Sequence, residues 1–454
     1  MRRESRLAFS RDKILVSKYD KGSVQSIFEF ASKLTGKSLA DIVHLPEGIA
    51  NKRNRGDLGT LLEKYYFEHQ PPANHGPDFP DAGLELKTTG ITRNKGGRYR
   101  AKERLVLTMI NYDVVSREKW ESSYFLNKCR LMLIMFYLFA KDVPVCERKF
   151  ILNPLVYKMS TEDQVVIKRD WDVIRQKILE GKAHELSEGD TFYLGACRKG
   201  SGGESEGLQK QPFSSELAKS RAFSFKQGYV NKIIDGHLED KTSLGISESV
   251  TFEHATELRF RPYINLSINE ISSRLNFYKK DLNQKGFHRQ LANRILSAGD
   301  QTVAELEKAG IELKTVRLKE NGQPRESMSF PGFKTLEIIN EDWEESSFAE
   351  KIERKFLFVV FKPDENGVER LFKVAYWNMP YQDREEAKRV WEETKKRTAI
   401  DAKNLPGASE SHVAHVRPKA RNGEDKELTP QGEMVIKKCF WLNSGYIAQV
   451  VESL

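Results

Sequence analysis

Cysteine is scarce, with four in 454 residues: Cys129, Cys146, Cys197 and Cys439. No two share the short spacing of a zinc site, and four scattered thiols make no disulfide framework. They read as small buried apolar residues of a chain held in a reducing compartment. Long apolar runs are also missing. The most apolar stretch, Leu131 to Ala140, lies between Arg130 and Lys141. It is too short to span a bilayer and predicts a buried strand or helix. The basic opening, MRRESRLAFSRDK, has no apolar run behind it, so no signal peptide is expected. The expected location is the cytoplasm, with no membrane partner. An excess of acid is absent as well: 74 Lys and Arg outnumber 65 Asp and Glu, leaving a net charge of +9. Such a balance favours a polyanionic partner, although many proteins carry it for solubility alone.

What is present is enough apolar material for two domains of roughly 200 residues each, at 39% hydrophobic and 31% charged residues. The chain also repeats itself. AGLELKT (Ala82 to Thr88) returns as AGIELKT (Ala309 to Thr315), and WESSYFLNK (Trp120 to Lys128) as WEESSFAEK (Trp343 to Lys351). ACRKG around Arg198 is echoed by HVRPK around Arg417, and RAFSFKQGY from Arg221 by KCFWLNSGY from Lys438. The four echoes are collinear, which predicts two copies of one domain, 1–240 and 250–454. The polar segment DGHLEDKTSLGISES (Asp235 to Ser249) is the expected join. The patterning is mixed α/β. Asp57 to Glu68 places Leu58, Leu61, Leu62, Tyr65 and Tyr66 on one helical face. Gly83 to Thr88, Arg104 to Ile110 and 131–139 read as strands, and Thr161 to Gly181 as a long helix with acidic residues first and a glycine stop. The segment PPANHGPDFP reads as a breaker-rich loop. GSGGESEG (Gly200 to Gly207) reads as a mobile loop; its lysine precedes the glycines, so it is no phosphate-cradling loop.

The chemistry concentrates in PDFPDAGLELKTTG. Asp78, Glu85 and Lys87 are an acid, a second acid seven residues on, and a lysine two beyond that. On a strand, positions 85 and 87 project from one face. Asp78 can join them from the preceding loop. Two carboxylates at one point repel unless a cation lies between them. Hard oxygen ligands suit Mg²⁺, which keeps several waters and bridges to phosphate. Such an ion activates water and neutralises charge on phosphorus. The same three residue types at these offsets arise by chance in roughly one chain in ten of this length. Taken alone, the set is therefore also consistent with a solvated strand.

The longer motifs carry a family resemblance. GTLLE (Gly59 to Glu63), PDFPDAGLELKT and WESSYFLNK resemble the MutH mismatch-repair nicking enzymes. KERLVLTMINYD, GKAHELSEGDTFYL and RAFSFKQGY are similar to the GATC-cutting restriction endonucleases of that family, the Sau-three-A type, over nearly the whole chain. The resemblance implies two tandem restriction-endonuclease-like domains, each a mixed central sheet flanked by helices. It implies a Mg²⁺-dependent type II endonuclease acting on double-stranded DNA at GATC. Asp78 and Glu85 would hold the metal, Lys87 would serve the attacking water, and Glu63 and Lys128 would assist. Arg198, Lys199 and Lys226 would enter the DNA groove, where arginine and lysine read guanine.

In the second copy Glu312 and Lys314 match Glu85 and Lys87, Glu305 replaces Asp78, and Asn293 falls where Glu63 stands. That set predicts a weakened metal site. The presumed reading loop of this copy keeps Arg417 and Lys419. The expectation is a catalytic first domain and a degenerate effector domain that binds GATC and activates the first. Two DNA sites would serve one active complex, with a DNA-dependent dimer as one way to assemble it. Two other readings remain: a mismatch-repair nicking endonuclease, which has half this length, and a non-catalytic DNA-binding protein made of two dead nuclease domains. His184 and Glu185 lack a second histidine four residues on, and His412 and His415 suit a solvated loop, so zinc is not expected.

Overall fold

Leu131–Leu138 is eight consecutive apolar or aromatic residues, and it forms a strand buried along nearly its whole length. A strand apolar on both faces belongs in the middle of a parallel arrangement. The computed structural model describes residues 18–46, 57–69, 76–199, 207–236, 251–278, 284, 286–296 and 304–454, without the side chains of 57, 304 and 305. The 200–206 part of the glycine-rich segment, most of PPANHG, and nearly all of the join lie outside the described residues.

The chain divides into two compact units, Met1–Thr92 with Leu126–Met159, and Arg93–Phe125 with Ser160–Leu454. In the first unit the strand Glu85–Arg93 runs parallel to Leu131–Leu138, pairing Glu85 with Met132 and Lys87 with Ile134. Leu155–Lys158 pairs antiparallel on the other side. Gly90 lets the two parallel strands close up, because a Cβ there would lie 3.1 Å from the Tyr137 hydroxyl. Ile27, Leu34, Leu58, Leu62, Phe67, Phe79, Leu86 and Leu133 form the core beneath this sheet.

The second unit holds the rest of the first repeat and all of the second. Leu105–Met109, Arg221–Phe225 and Leu194–Arg198 form an antiparallel sheet with Arg221–Phe225 central. The second repeat rebuilds both sheets. Glu312–Arg317 runs parallel to Phe356–Pro363, which pairs antiparallel with Glu369–Trp377. Met328–Gly332, Lys438–Leu442 and Ala414–Pro418 repeat the antiparallel sheet. The tryptophan motif explains itself in both copies. Trp120 packs edge-on to Trp171 at 5.8 Å between ring centres, and Trp343 meets Trp391 at 5.6 Å. Each tryptophan thereby ties a short turn to its long helix, Thr161–Leu179 or Tyr381–Ile400. The duplication read from the sequence is thus present in both sheets.

All four cysteines are buried and free. No helix among the described residues is long and apolar enough to cross a membrane.

Candidate active site

The first unit brings five expected residues to one place. The helix Asp57–Leu61 does not run on regularly but widens into a five-residue turn, Leu62–Tyr66, closed by Phe67 N–H donating to the Leu62 carbonyl at 2.9 Å. Wide turns of this kind are rare and recur at functional positions. Here the turn carries Glu63. Asp78 arrives from a tight turn in which the Phe79 and Leu84 backbones pair and Gly83 takes φ +61°, a conformation suited to glycine. The turn folds Asp78 back over the start of the strand. Leu86 N–H donates to Asp78 Oδ2 at 2.9 Å, and Asp78 N–H donates to Glu85 Oε2 at 3.2 Å.

Glu85 and Lys87 project together, as strand alternation requires. Lys87 Nζ lies 2.5 Å from Glu85 Oε1, and Lys128 Nζ reaches the same oxygen at 3.3 Å. Asp78 and Glu85 are 6% and 1% exposed, an expensive position for carboxylates without compensation. The electrostatics record that cost. Burial, then Asp78 and Glu85, push the Glu63 carboxyl up to about 7 against the opposing lysines. Burial likewise raises Glu85, with Asp78 adding to it, despite both lysines. Three carboxylates against two ammonium groups leave the pocket with unsatisfied negative charge. This fits a divalent cation held by Asp78 and Glu85. No three acidic, histidine or cysteine side chains among the described residues make a ready cage. Mg²⁺ needs only one or two carboxylates, with waters and substrate phosphate completing the shell.

The expected DNA-contacting residues are placed differently. Arg198 ends its strand against the second repeat, 3.3 Å from Glu344 and 3.2 Å from Glu353. Lys199 is half-buried, its N–H donating to the Ser220 carbonyl at 2.8 Å. Lys226 corrects an expectation, because its ammonium does not face a groove. The residue is 7% exposed and Nζ donates to the Glu188 and Thr191 carbonyls at 2.6 and 2.5 Å. Burial pushes it down to about 8, and its work here is to hold the approach to the Leu194 strand. Arg417 is exposed, its guanidinium 4.6 Å from the Trp441 ring centre. Lys419 is exposed too, and Nζ donates to the Phe330 carbonyl at 2.7 Å.

Strand pairing also shifts one sequence match by a residue. Arg198 lies opposite Arg221, whereas Arg417 lies opposite Cys439 and Pro418 opposite Lys438. Lys199 and Lys419 are the true equivalents, each donating its N–H to the carbonyl just before that partner, Ser220 and Lys437. A one-residue slip reverses the face on which a side chain stands. Arg198 therefore points to carboxylates and Arg417 to solvent.

Sequence reasoning missed Asp170. Its buried carboxylate accepts the N–H groups of Phe192, Tyr193 and Leu194 at 2.8, 2.6 and 2.8 Å, fixing the start of the Arg198 strand. The signal was available: an acid inside the apolar stripe of Val166, Ile167, Trp171 and Ile174. His184 Nδ1 meets Gln211 Nε2 at 3.0 Å and His415 bonds Asn443, so both serve the fold.

The family model for the DNA mismatch repair enzyme MutH matches this chain twice, over residues 67–170 and 295–389. The type II restriction enzyme Sau3AI of Staphylococcus aureus is 33% identical, covering 95% of this chain and 98% of that enzyme. The MutH proteins of Serratia proteamaculans and Haemophilus influenzae are 26% and 27% identical. They cover 47% and 46% of this chain, and 92% of each MutH is matched.

Proposed function

This chain belongs to the family of type II restriction enzymes and MutH mismatch-repair proteins, and from that premise we propose that it cuts double-stranded DNA at GATC with Mg²⁺. It is a DNA endonuclease of the restriction class built from two tandem MutH-like domains. The finer reading rests on one observation: Glu63, Asp78, Glu85, Lys87 and Lys128 converge in the first repeat. The MutH relatives match about half of the chain, whereas the restriction enzyme matches nearly all of it, which favours restriction over nicking in repair.

Asp78 and Glu85 would hold Mg²⁺, which when bound polarises the scissile phosphate and makes its water more acidic. The protein's own groups do the rest. Lys87, fixed by Glu85, sits where it can orient the attacking water and meet charge growing on phosphate oxygen. Lys128 braces the same carboxylate from the following helix and keeps it from turning away. Glu63, set beside Asp78 and Glu85, can take a proton from that water. Arg198 can read DNA only by exchanging Glu344 and Glu353 for it. In the second repeat Arg417 and Lys419 are already exposed, which suits an effector domain that binds a second GATC. The enzyme would then work on two sites, in the cytoplasm, with two chains meeting on DNA to cut both strands.

The test is digestion of two matched plasmids, one with several GATC sites and one with none, in Mg²⁺ and in EDTA. Cutting confined to the GATC plasmid with Mg²⁺ is expected. Cutting of both plasmids removes the site assignment, and activity in EDTA removes the metal.

A further inference from the structure

The second repeat keeps the lysines of the catalytic centre while losing acid. Asn293 stands in the place of Glu63, Glu312 in that of Glu85, and Lys314 and Lys351 in those of Lys87 and Lys128. The strand geometry is retained, since Glu312 and Lys314 face Phe356 and Phe358 in the same parallel pairing as the first repeat. Lys314 Nζ lies 3.0 Å from Glu312 Oε1. The other carboxylate oxygen, Oε2, is buried without a hydrogen-bond partner among the described residues.

The charge balance is inverted. Around Glu85 acids crowd one another. Around Glu312 burial alone would raise the carboxyl, but Lys314, then Lys351 and Arg354, outweigh it and hold the group below its ordinary value. Burial and the neighbouring Arg354 in turn hold the Lys351 ammonium low. Cations here repel cations, and an incoming anion relieves that repulsion. The site is also continuous with the exposed basic strand. The Lys314 ammonium lies 6.0 Å from the centre of the Phe330 ring, and Lys419 bonds the carbonyl of the same residue.

We propose that this relic centre holds one DNA backbone phosphate directly through Lys314 and Lys351, with no divalent cation. A lysine that met a metal-bridged phosphate in an active copy meets the phosphate itself here, because Lys314, Lys351 and Arg354 already neutralise Glu312. This deepens the reading of the second repeat as a DNA-binding domain and rests on it. The consequence is that effector binding persists in EDTA while cleavage does not.

The experiment uses the full chain carrying Asp78→Asn, which removes the first repeat's metal holder, and a duplex with one GATC. Affinity is measured in EDTA over a range of salt, with thermal unfolding as the check on folding. The expected result is that Lys314→Gln with Lys351→Gln weakens binding by about tenfold and lowers the slope of log affinity against log salt by about 1, the loss of one phosphate contact. Glu312→Gln, which removes the competing carboxylate, should tighten binding in EDTA. An unchanged affinity and slope in the lysine pair, with Arg417→Ala still weakening binding, overturns the phosphate site and leaves the DNA-binding reading standing. No effect of Arg417→Ala and Lys419→Ala overturns that reading as well. Tightening by Ca²⁺ that Glu312→Gln abolishes means a cation still sits there, and contradicts the proposal.

Discussion

The two repeats carry the same scaffold to opposite electrostatic ends. Glu85 and Glu312 stand at equivalent points of equivalent strands, each with a lysine two residues on. Yet the first carboxyl is pushed up by burial and Asp78, and the second is held down by Lys314, Lys351 and Arg354. What separates the two centres electrostatically is therefore not the strand motif. It is the residues that reach it from other elements: Asp78 and Glu63 in one copy, Lys351 and Arg354 in the other. A motif alone reports geometry, and the surrounding charge decides what the geometry binds.

The comparison breaks most sharply at the first centre. Glu85→Ala or Lys87→Ala should lower cleavage on the order of a thousandfold or more. The corresponding change at Glu312 should leave the chemistry of a single bound site nearly intact, as measured by single-turnover cutting with saturating DNA.

A second test strikes the ion pairs of Arg198. Glu353 is half-buried and faces Arg198, Arg221, Arg384 and Arg104, which together hold its carboxyl below the usual range against the cost of burial. Glu353→Gln takes from Arg198 one of its two carboxylate partners, Glu344 remaining, and should cost about 1–3 kcal/mol of stability, read by denaturant unfolding. A third concerns close packing between the end of the first repeat and the start of the second. A Cβ on Gly228 would lie 2.1 Å from the Glu307 carbonyl oxygen. Gly228→Ala should therefore lower stability by about 1–3 kcal/mol without touching the Glu85 centre.

The smallest effect is a pH dependence. Glu63 keeps its proton to about 7 when folded, against an ordinary value of 4.5. Between those values the folded chain binds more protons than the unfolded one, so stability falls as pH rises, and the penalty is complete above 7. Without metal, Glu63→Gln should raise Tm more at pH 8 than at pH 5. An equal rise at both pH values would mean that the carboxyl is not strained.

Much of this centre was legible in the sequence because it is local. Asp78, Glu85 and Lys87 lie within ten residues, and a turn plus strand alternation brings them together. The duplication was legible because the tryptophans and the paired strands repeat their letters. The widened turn under Glu63 was not, since a bond from Phe67 back to Leu62 depends on how the helix packs. The echo between Arg198 and Arg417 misled by one residue, because letters matched where strand register did not. The resemblance put Lys226 in the DNA groove, and only the loop carbonyls around it, distant in sequence, show that it is spent on the fold. Domain limits at 240 and 250 rest on the repeat alone, since compactness groups the end of the first repeat with the second.

The most direct test of the division between the two centres is a pair of variants, Glu85→Gln and Glu312→Gln, each given a plasmid with several GATC sites in Mg²⁺. The account predicts that Glu85→Gln leaves the plasmid uncut while Glu312→Gln still cuts it. Loss of cutting in Glu312→Gln, with cutting kept in Glu85→Gln, would place the chemistry in the wrong repeat and contradict it.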